Sequence, residues 1–276
     1  MPGAPAVTVL ANLAVDRIDG APPSPGGCAS FASAALELFG AGRVVTRAAP
    51  ADLPLFDAVL GGVDGVVVDL LPARVTSAFG LAYDGDDRVM TVDAIGPVWT
   101  PVDIARAAVR TPWVHVSPLL RSDFPADSLA TLADGGHRVA LDGQGLVRLA
   151  AVGPMQVDAA FDPAVLAHLS VLKLADDEAT VLTGGRPFVE RDARGLGIPE
   201  ILITNGSRGC DLYLGGVAHH VPPAWRVRGV QATGAGDMFT VAYVAARARG
   251  DDAFEAASVA SRLVAELLQV RLEAQG

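Results

Sequence analysis

The stretch Val230–Phe239, VQATGAGDMF, places three small residues, Gly234-Ala235-Gly236, directly before an acid, Asp237. An apolar helical pattern, 235–249, follows, so the backbone N–H groups of this turn lie at the positive end of a helix macrodipole. Such a turn binds anionic oxygen, and the adjacent carboxylate can accept a proton from a hydroxyl held beside the anion. Phosphoryl transfer to an alcohol requires this combination of amide donors and base. The alternative is an ordinary strand-to-helix turn with Asp237 as the N-cap.

Upstream of this turn, short apolar runs alternate with helical patterns. The predicted strands are 7–10, 44–46, 65–69, 113–116, 138–142, 171–174 and 200–204. The predicted helices are 28–39, 103–109, 128–133, 163–168, 176–183, 235–249 and 253–268. Apolar strands that alternate with helices indicate parallel βαβ units with helices on both faces. The sequence therefore predicts an α/β fold, a doubly wound, mostly parallel sheet flanked by helices, as a single domain over residues 1–276.

Two segments interrupt this alternation. Residues 77–92 look like a hairpin with Asp84-Gly85-Asp86-Asp87 at its turn, since Asp-Gly is a strong turn signal between alternating strands. The second segment, Val15–Gly27, is a proline-containing loop after the first strand. We expect the two to meet as a small β lid, formed by about 13–25 and 75–93, over one end of the sheet.

Composition excludes several classes of protein. The net charge of −10 argues against a nucleic-acid binder, because a duplex would be repelled. The two cysteines, Cys28 and Cys210, are too few and too far apart for a disulfide framework or a zinc motif. No signal peptide or membrane-spanning run is apparent, so the expectation is a soluble cytoplasmic protein with a small-molecule substrate and no nucleic-acid or membrane partner.

Two further glycine-containing segments are candidate ligand sites. Thr204–Cys210, TNGSRGC, follows a predicted strand, where glycines let a ligand approach the backbone. It also fits a hairpin turn between Leu202 and Tyr213, and both interpretations can hold together. Gly26-Gly27 opens the helix 28–39 and can expose backbone donors to a polar ligand, or it simply closes the preceding loop.

These motifs, in this order, resemble the ribokinase-like (PfkB) sugar kinases. The resemblance rests on Gly26-Gly27, on Lys173 and Glu178 after a strand, on Thr204-x-Gly206-x-x-Gly209, and on Gly234-Ala235-Gly236-Asp237. It implies an ATP-dependent kinase that uses Mg²⁺, with Asp237 as the catalytic base and the amides of Gly234, Ala235 and Gly236 as the anion hole. The implied nucleotide site contains Thr204, Gly206, Gly209, Lys173 and Thr233, and Glu178 would hold magnesium.

The resemblance also implies where an acceptor would bind. Its hydroxyls would meet Asn12 and Asp16 after the first strand, together with Gly26 and Gly27. The segment Asp142-Gly-Gln144-Gly-Leu-Val-Arg148 looks like the Asp-x-Asn-x-Arg region of sugar kinases and is similar to inositol-kinase members of the family. The implied acceptor is a sugar, a cyclitol such as myo-inositol, or a nucleoside. In many members of the family the lid is also a dimer interface, which implies a homodimer here.

The sequence departs from the family pattern at three places. Gln231 and Ala232 replace an Asp-Thr pair associated with a monovalent-cation site, so a monovalent-cation requirement does not carry over. Ala175 replaces the Asn of Asn-x-x-Glu, and Phe31 replaces an Asn of the first helix. These departures motivate an alternative, a non-catalytic nucleotide- or sugar-binding member of the same fold. A third hypothesis is an unrelated nucleotide-binding α/β oxidoreductase.

Overall fold

The computed structural model describes residues 6–84, 87–230 and 232–275. The strands, in chain order, are β1 (Val7–Asn12), β2 (Ala14–Ile18), β3 (Ser24–Gly26), β4 (Gly42–Ala48), β5 (Val66–Pro72), β6 (Ser77–Asp84), β7 (Asp87–Ala94), β8 (Trp113–Ser117), β9 (Arg138–Asp142), β10 (Gly153–Pro154), β11 (Val171–Ala175), β12 (Glu200–Thr204), β13 (Cys210–Leu214) and β14 (Val217–Val221). The α-helices are α1 (Ala29–Glu37), α2 (Asp57–Leu60), α3 (Pro101–Ala107), α4 (Ala126–Asp134), α5 (Gln144–Val147), α6 (Asp176–Leu182), α7 (Glu190–Leu196), α8 (Ala235–Arg249) and α9 (Ala253–Gln275). Short 3₁₀ helices cover Pro50–Phe56, Pro163–His168 and Gly206–Arg208.

Within the described ranges, a nine-stranded sheet has the order β14-β13-β12-β11-β9-β8-β1-β4-β5. The strands from β5 to β12 run parallel, and β13 and β14 add an antiparallel hairpin at one edge. All six residues of β1 are buried, as expected for a strand with both faces covered. The predicted fold class, a mostly parallel sheet flanked by helices, is confirmed.

The hydrophobic core has two layers, one on each face of this sheet. One layer packs α1, α8 and α9 against the sheet, and the other includes α3, α4 and residues of α6 and α7. Every residue of α8 from Met238 to Ala246 is buried, because α8 lies between the sheet, α1 and α9. A helix that is apolar all round is typical of such a central position. It also fixes the N-terminus of α8 relative to the strands.

A second, five-stranded sheet, here called the small sheet, has the order β10-β7-β6-β2-β3 among the described residues. β2 pairs in parallel with β6, with Val15 opposite Ala78, so the two interrupting segments do meet. β6 and β7 form the expected antiparallel hairpin. Gly85 and Asp86, at its predicted turn, lie outside the described residues. β10 joins this sheet from residues 153–154, which sequence patterns did not indicate.

Some elements differ from the prediction for identifiable reasons. The predicted helix at 163–168 is a 3₁₀ helix, with Pro163 in its first turn and a side-chain cap from Asp162. Helix α7 was not predicted, because its sequence ERDARGL buries only Ala193 and so carries no apolar stripe. The helix predicted to end at 268 continues to Gln275 as α9, which packs on α8 through alanines. No helix in the described ranges is both long and apolar enough to cross a membrane.

Candidate active site

A cavity of about 1130 Å³, here called the central cavity, opens at the carboxyl ends of the parallel strands, beside the start of α8 and under the small sheet. Its wall includes ten of the predicted site residues: Asp16, Gly27, Gln144, Arg148, Lys173, Glu178, Thr233, Gly234, Gly236 and Asp237. In an open α/β sheet, ligands bind at this edge. The topology therefore brings together residues that are separated by more than two hundred positions in the chain.

The turn before α8 is built around Gly234. This residue is the N-cap of the helix and has φ = +79°, in the left-handed region that favours glycine. A Cβ at this position would lie 2.5 Å from ring atoms of Phe31, because α1 packs against α8. Thr233, Gly234 and Gly236 line the central cavity, but the Ala235 N–H donates to the carbonyl of Ala232 at 3.0 Å. The predicted participation of the Ala235 amide in an anion hole is therefore not supported by this conformation.

Asp237 lies in the first turn of α8, partly exposed in the wall of the central cavity. It is not the N-cap, since Gly234 holds that position without a side-chain hydrogen bond. Burial and the neighbouring carboxylate of Asp142 raise the pKa of Asp237 to about 6, against the opposing effect of Lys173. A carboxylate with a raised pKa that faces a cavity is suited to accept a proton near neutral pH.

Asp142 and Lys173 form a buried ion pair at this wall, in which Lys173 lines the central cavity and Asp142 lies behind it. They are partners in the register of the parallel strands β9 and β11, and the Lys173 Nζ lies 3.7 Å from the Asp142 Oδ1. Burial would raise the pKa of Asp142, but Lys173 and His115 hold it well below its usual value. Burial would likewise lower the pKa of Lys173, but Asp142, Glu178 and Asp237 raise it. Both groups are therefore charged, and Lys173 offsets part of the negative charge around Asp237.

Hydrogen bonds fix the orientation of the Asp142 carboxylate. Its Oδ2 accepts from the Ser117 hydroxyl at 2.8 Å, and its Oδ1 accepts from the Thr240 hydroxyl at 3.1 Å. The predicted contact of Asp142 with an acceptor is not supported, because the residue is 1% exposed and does not line the central cavity.

Glu178 is a buried carboxylate at the rim of the same cavity. Its Oε2 accepts from the backbone N–H of Ala175 at 2.9 Å and so caps α6. Its Oε1 lies 4.0 Å from a guanidinium nitrogen of Arg148. Oε2 thus stabilises the start of α6, and Oε1 faces the guanidinium group of Arg148.

A smaller cavity of about 230 Å³, here called the side cavity, lies on the other side of the turn before α8. Its wall contains the predicted residues Thr204, Gly206 and Gly209, and the segment that carries them is also a hairpin turn between β12 and β13. Ala232 and Gly236 line both cavities, so the two meet at this turn. Apolar side chains from the loop before α8 and from α9, among them Trp225, Val264 and Leu268, complete the wall.

Like Asp142, two further residues predicted to meet the acceptor do not line the central cavity. Asn12 is fully buried: its amide donates to Pro97 and Asp123, and it accepts from the Trp99 indole N–H at 2.9 Å. Its predicted bond to an acceptor is therefore not supported. Gly26 is buried within β3, whereas Gly27 lines the cavity. Gly27 has φ = +80°, and a Cβ there would lie 2.7 Å from the carbonyl oxygen of Asn12.

We expect Asn12→Ala to lower the free energy of unfolding by about 2–5 kcal/mol, because the indole of Trp99 and the carboxylate of Asp123 both lose a partner in a buried site. Urea unfolding measures this change. The matched control is Asn205→Ala, which removes a bond to Asp211 at a half-buried turn and should cost about 0.5–1.5 kcal/mol. Equal losses in the two variants would contradict the structural role of Asn12.

Sequence reasoning did not identify several residues of the site. Cys28 lines the central cavity directly after the glycine pair, and Trp225 lines the side cavity. His115 and Ser117 lie on one face of β8 by the two-residue period of a strand, which was the available signal. Arg271 of α9 donates to the Thr233 carbonyl at 2.8 Å and lies over the Phe31 ring, a contact that no local pattern could indicate.

Comparison with known proteins supports this description. Residues 152–272 match the sequence model of the pfkB family of carbohydrate kinases. No curated protein sequence matches the chain significantly. A pyrophosphate-dependent kinase of the ribokinase family, solved with a pyrophosphate analogue and myo-inositol, superimposes with a TM-score of 0.77 at 22% identity over 97% of this chain and 99% of that chain.

Two further solved structures have the same fold. The Burkholderia thailandensis nucleoside kinase in complex with inosine gives a TM-score of 0.72 at 20% identity, over 95% of this chain and 90% of that chain. The Arabidopsis thaliana ribokinase complexed with ribose and ATP gives 0.70 at 21% identity, over 98% and 94%. Residues 152–272 thus match the pfkB carbohydrate kinase family by sequence, and nearly the whole chain has the fold of ribokinase-family kinases.

Proposed function

We propose that the protein transfers the γ-phosphoryl group of ATP to a hydroxyl of a sugar, cyclitol or nucleoside, with Asp237 as the base. One observation carries the proposal: a large cavity with polar and apolar walls and a small apolar cavity meet at Gly236, next to Asp237, at the N-terminus of α8. A kinase needs this arrangement, because the acceptor and the donor must approach one point from two sides.

The central cavity suits a hydroxylated acceptor. Asp16 and Gln144 supply acceptor and donor groups, and Arg148 supplies a guanidinium. Apolar residues of the small sheet, Phe79 and Leu81 among them, face the same space and would cover the carbon skeleton of the acceptor. A structural relative was solved with myo-inositol, and another with inosine, so both acceptor classes belong in the test.

The side cavity favours a nucleotide as donor. Its wall is mostly apolar, with Trp225, Phe239 and Leu268 placed to contact a flat base, and it adjoins the phosphate-facing turn through Gly236. Pyrophosphate would leave this apolar space unused. The relative solved with ATP and the relative described as pyrophosphate-dependent have the same fold, so fold similarity does not choose between the donors.

In the proposed reaction, Asp237 takes the proton of the attacking hydroxyl. The amides of Gly234 and Gly236, at the positive end of α8, stabilise the charge on the transferred phosphoryl group. Lys173 and Arg148 add positive charge to the same region. Glu178 and its surroundings fit Mg²⁺, which binds through one or two carboxylates and keeps several waters. When bound, the ion would neutralise phosphate charge.

The small sheet would act as a lid over the acceptor, because β2, β6 and β7 each contribute two residues to the cavity wall. A homodimer through this sheet stays a prediction. Gln231, part of the argument against a monovalent-cation requirement, lies outside the described residues.

The test is a matrix of two donors, ATP and pyrophosphate, against four acceptors: myo-inositol, ribose, a ketohexose and inosine. Phosphorylated products are identified by mass spectrometry, with Mg²⁺ present. We expect product with ATP and one acceptor class. Product with pyrophosphate alone would overturn the proposed donor but not the acceptor site. A folded protein that yields no product in any combination, even though it binds ATP by calorimetry, would support the non-catalytic alternative.

The raised pKa of Asp237 predicts a pH dependence. Because the base must be ionised, kcat/KM should be constant above pH 7 and fall about tenfold per unit below about pH 6. The profile should be recorded after treatment with a chelator and with Mg²⁺ as the added divalent ion, so that no other bound cation alters the pKa of Asp237. Circular dichroism at pH 5 confirms that the protein stays folded. A flat profile between pH 5 and 7 would contradict the assigned base.

A further inference from the structure

Beneath the central cavity, three side chains of metal-binding type converge from three separate elements. Cys28 is the N-cap of α1, His115 lies in β8, and Asp142 ends β9. Each is at most 1% exposed. One possible ligand atom from each residue lies within 4.8 Å of the other two. No part of the proposed phosphoryl transfer uses Cys28 or His115.

The His115 imidazole is the unusual member of this group. Neither of its ring nitrogens has a hydrogen-bond partner among the described residues, although the side chain is fully buried. Its Nε2 lies 3.2 Å from the Asp142 Oδ2, yet the two atoms are not aligned for a hydrogen bond. Burying ring nitrogens without a hydrogen bond is unfavourable, so a further ligand at this ring would stabilise it.

A metal ion bound to both side chains would explain why the His115 Nε2 and the Asp142 Oδ2 lie close together without being aligned for a hydrogen bond. Two ligand atoms at about 2.0–2.1 Å from one tetrahedral zinc lie about 3.3 Å apart, with both lone pairs directed at the ion rather than at each other. The 3.2 Å between the His115 Nε2 and the Asp142 Oδ2 is close to this separation. The Cys28 sulfur lies within 4.8 Å of a ligand atom of each of these residues, so a small shift of its side chain would bring it to a third coordination position of the same ion.

The surroundings of Asp142 are those of an oriented metal ligand. Thr240 and Lys173 contact its Oδ1, and Ser117 donates to its Oδ2, so the carboxylate cannot rotate freely. Carboxylate ligands of metals are held in this way by outer hydrogen bonds. The ammonium of Lys173 also limits the negative charge that a thiolate and two aspartates would place here.

We propose that Cys28, His115 and Asp142 bind one divalent transition-metal ion of the zinc type. The fourth coordination position would face the central cavity, because Cys28 lies in its wall. A water molecule would occupy that position. The sulfur and nitrogen ligands select zinc-type ions over Mg²⁺, which prefers oxygen, so this site is distinct from the one at Glu178.

Cobalt(II) titration tests the proposal on the full-length, chelator-treated protein, with excess Mg²⁺ and without nucleotide or acceptor. We expect one equivalent to bind, with visible ligand-field bands and a near-ultraviolet thiolate-to-cobalt charge-transfer band, and Zn²⁺ to displace it. Since no phosphoryl transfer is involved, the result is independent of the proposed kinase activity. Absence of the charge-transfer band in the wild-type protein would overturn the proposal.

The two cysteines of the chain provide the matched variants. Cys28→Ser should abolish the charge-transfer band and weaken cobalt binding at least tenfold, whereas Cys210→Ser, in β13, should leave both unchanged. If Cys28→Ser does not fold, Cys210→Ser still tests the site. A charge-transfer band that survives in Cys210→Ser must come from Cys28, the one cysteine left in that variant. His115→Gln should also weaken binding at least tenfold. A band that is lost in Cys210→Ser or kept in Cys28→Ser would refute the site.

Discussion

Asp237→Asn should lower kcat about 10²–10⁴-fold, the usual contribution of a general base, with the affinity for ATP nearly unchanged. Asparagine keeps the shape of the side chain and its place at the start of α8, but it cannot take the proton of the acceptor. Coupled assay of ADP release gives kcat, and calorimetry gives the dissociation constant of ATP. A variant with near wild-type turnover would show that another group is the base.

The same substitution should not weaken the fold. Because the folded protein raises the pKa of Asp237 above that of an unfolded chain, the ionised form destabilises the native state at pH 8. Asparagine removes this charge beside Asp142, so the free energy of unfolding should rise. Asp127→Asn is the matched control, since Asp127 is an exposed acid in the first turn of α4 and should affect neither property.

Gly234→Ala should lower kcat/KM at least 10²-fold. A methyl group at this position requires an alanine at φ = +79° and overlaps the Phe31 ring, whose atoms lie 2.5 Å from the added carbon. Either the ring or the turn must shift, and a displacement of about 1 Å in a catalytic turn can cost about 10²-fold in rate. Steady-state kinetics on the folded variant measures the loss.

Gly250→Ala separates backbone strain from the clash. Gly250 is the C-cap of the same helix at φ = +104°, and no other atom lies within 4 Å of its added carbon. It should therefore lose stability without losing kcat/KM. The double variant Gly234→Ala/Phe31→Ala should recover part of the activity, because the ring is gone. Wild-type kinetics in Gly234→Ala would mean that the turn does not position the transferred group.

Local sequence patterns were sufficient for the order of most strands and helices and for the turn before α8. A buried parallel strand and an amphipathic helix each have their own residue period, and a Gly-Ala-Gly-Asp turn depends on neighbours within four positions. The assignment of Asp237, Gly27 and Lys173 to one site rested in addition on the resemblance to the ribokinase-like kinases, which local patterns alone do not supply. Helix α7 could not be predicted from the sequence, since it has one buried residue, Ala193, and therefore no apolar stripe.

The side chains that share the cavity wall were decided by tertiary structure. All residues of β1 are buried, so no pattern could reveal that Asn12 bonds to Trp99 rather than facing a ligand. The convergence of Cys28, His115 and Asp142 depends on how α1, β8 and β9 pack, over more than one hundred positions of chain. The amino-acid sequence alone determined the individual strands, helices and turns, because these depend on interactions between neighbouring residues. The tertiary structure alone set the distances between side chains of different elements. Those distances decide which groups are charged, which form hydrogen bonds and which could bind a metal.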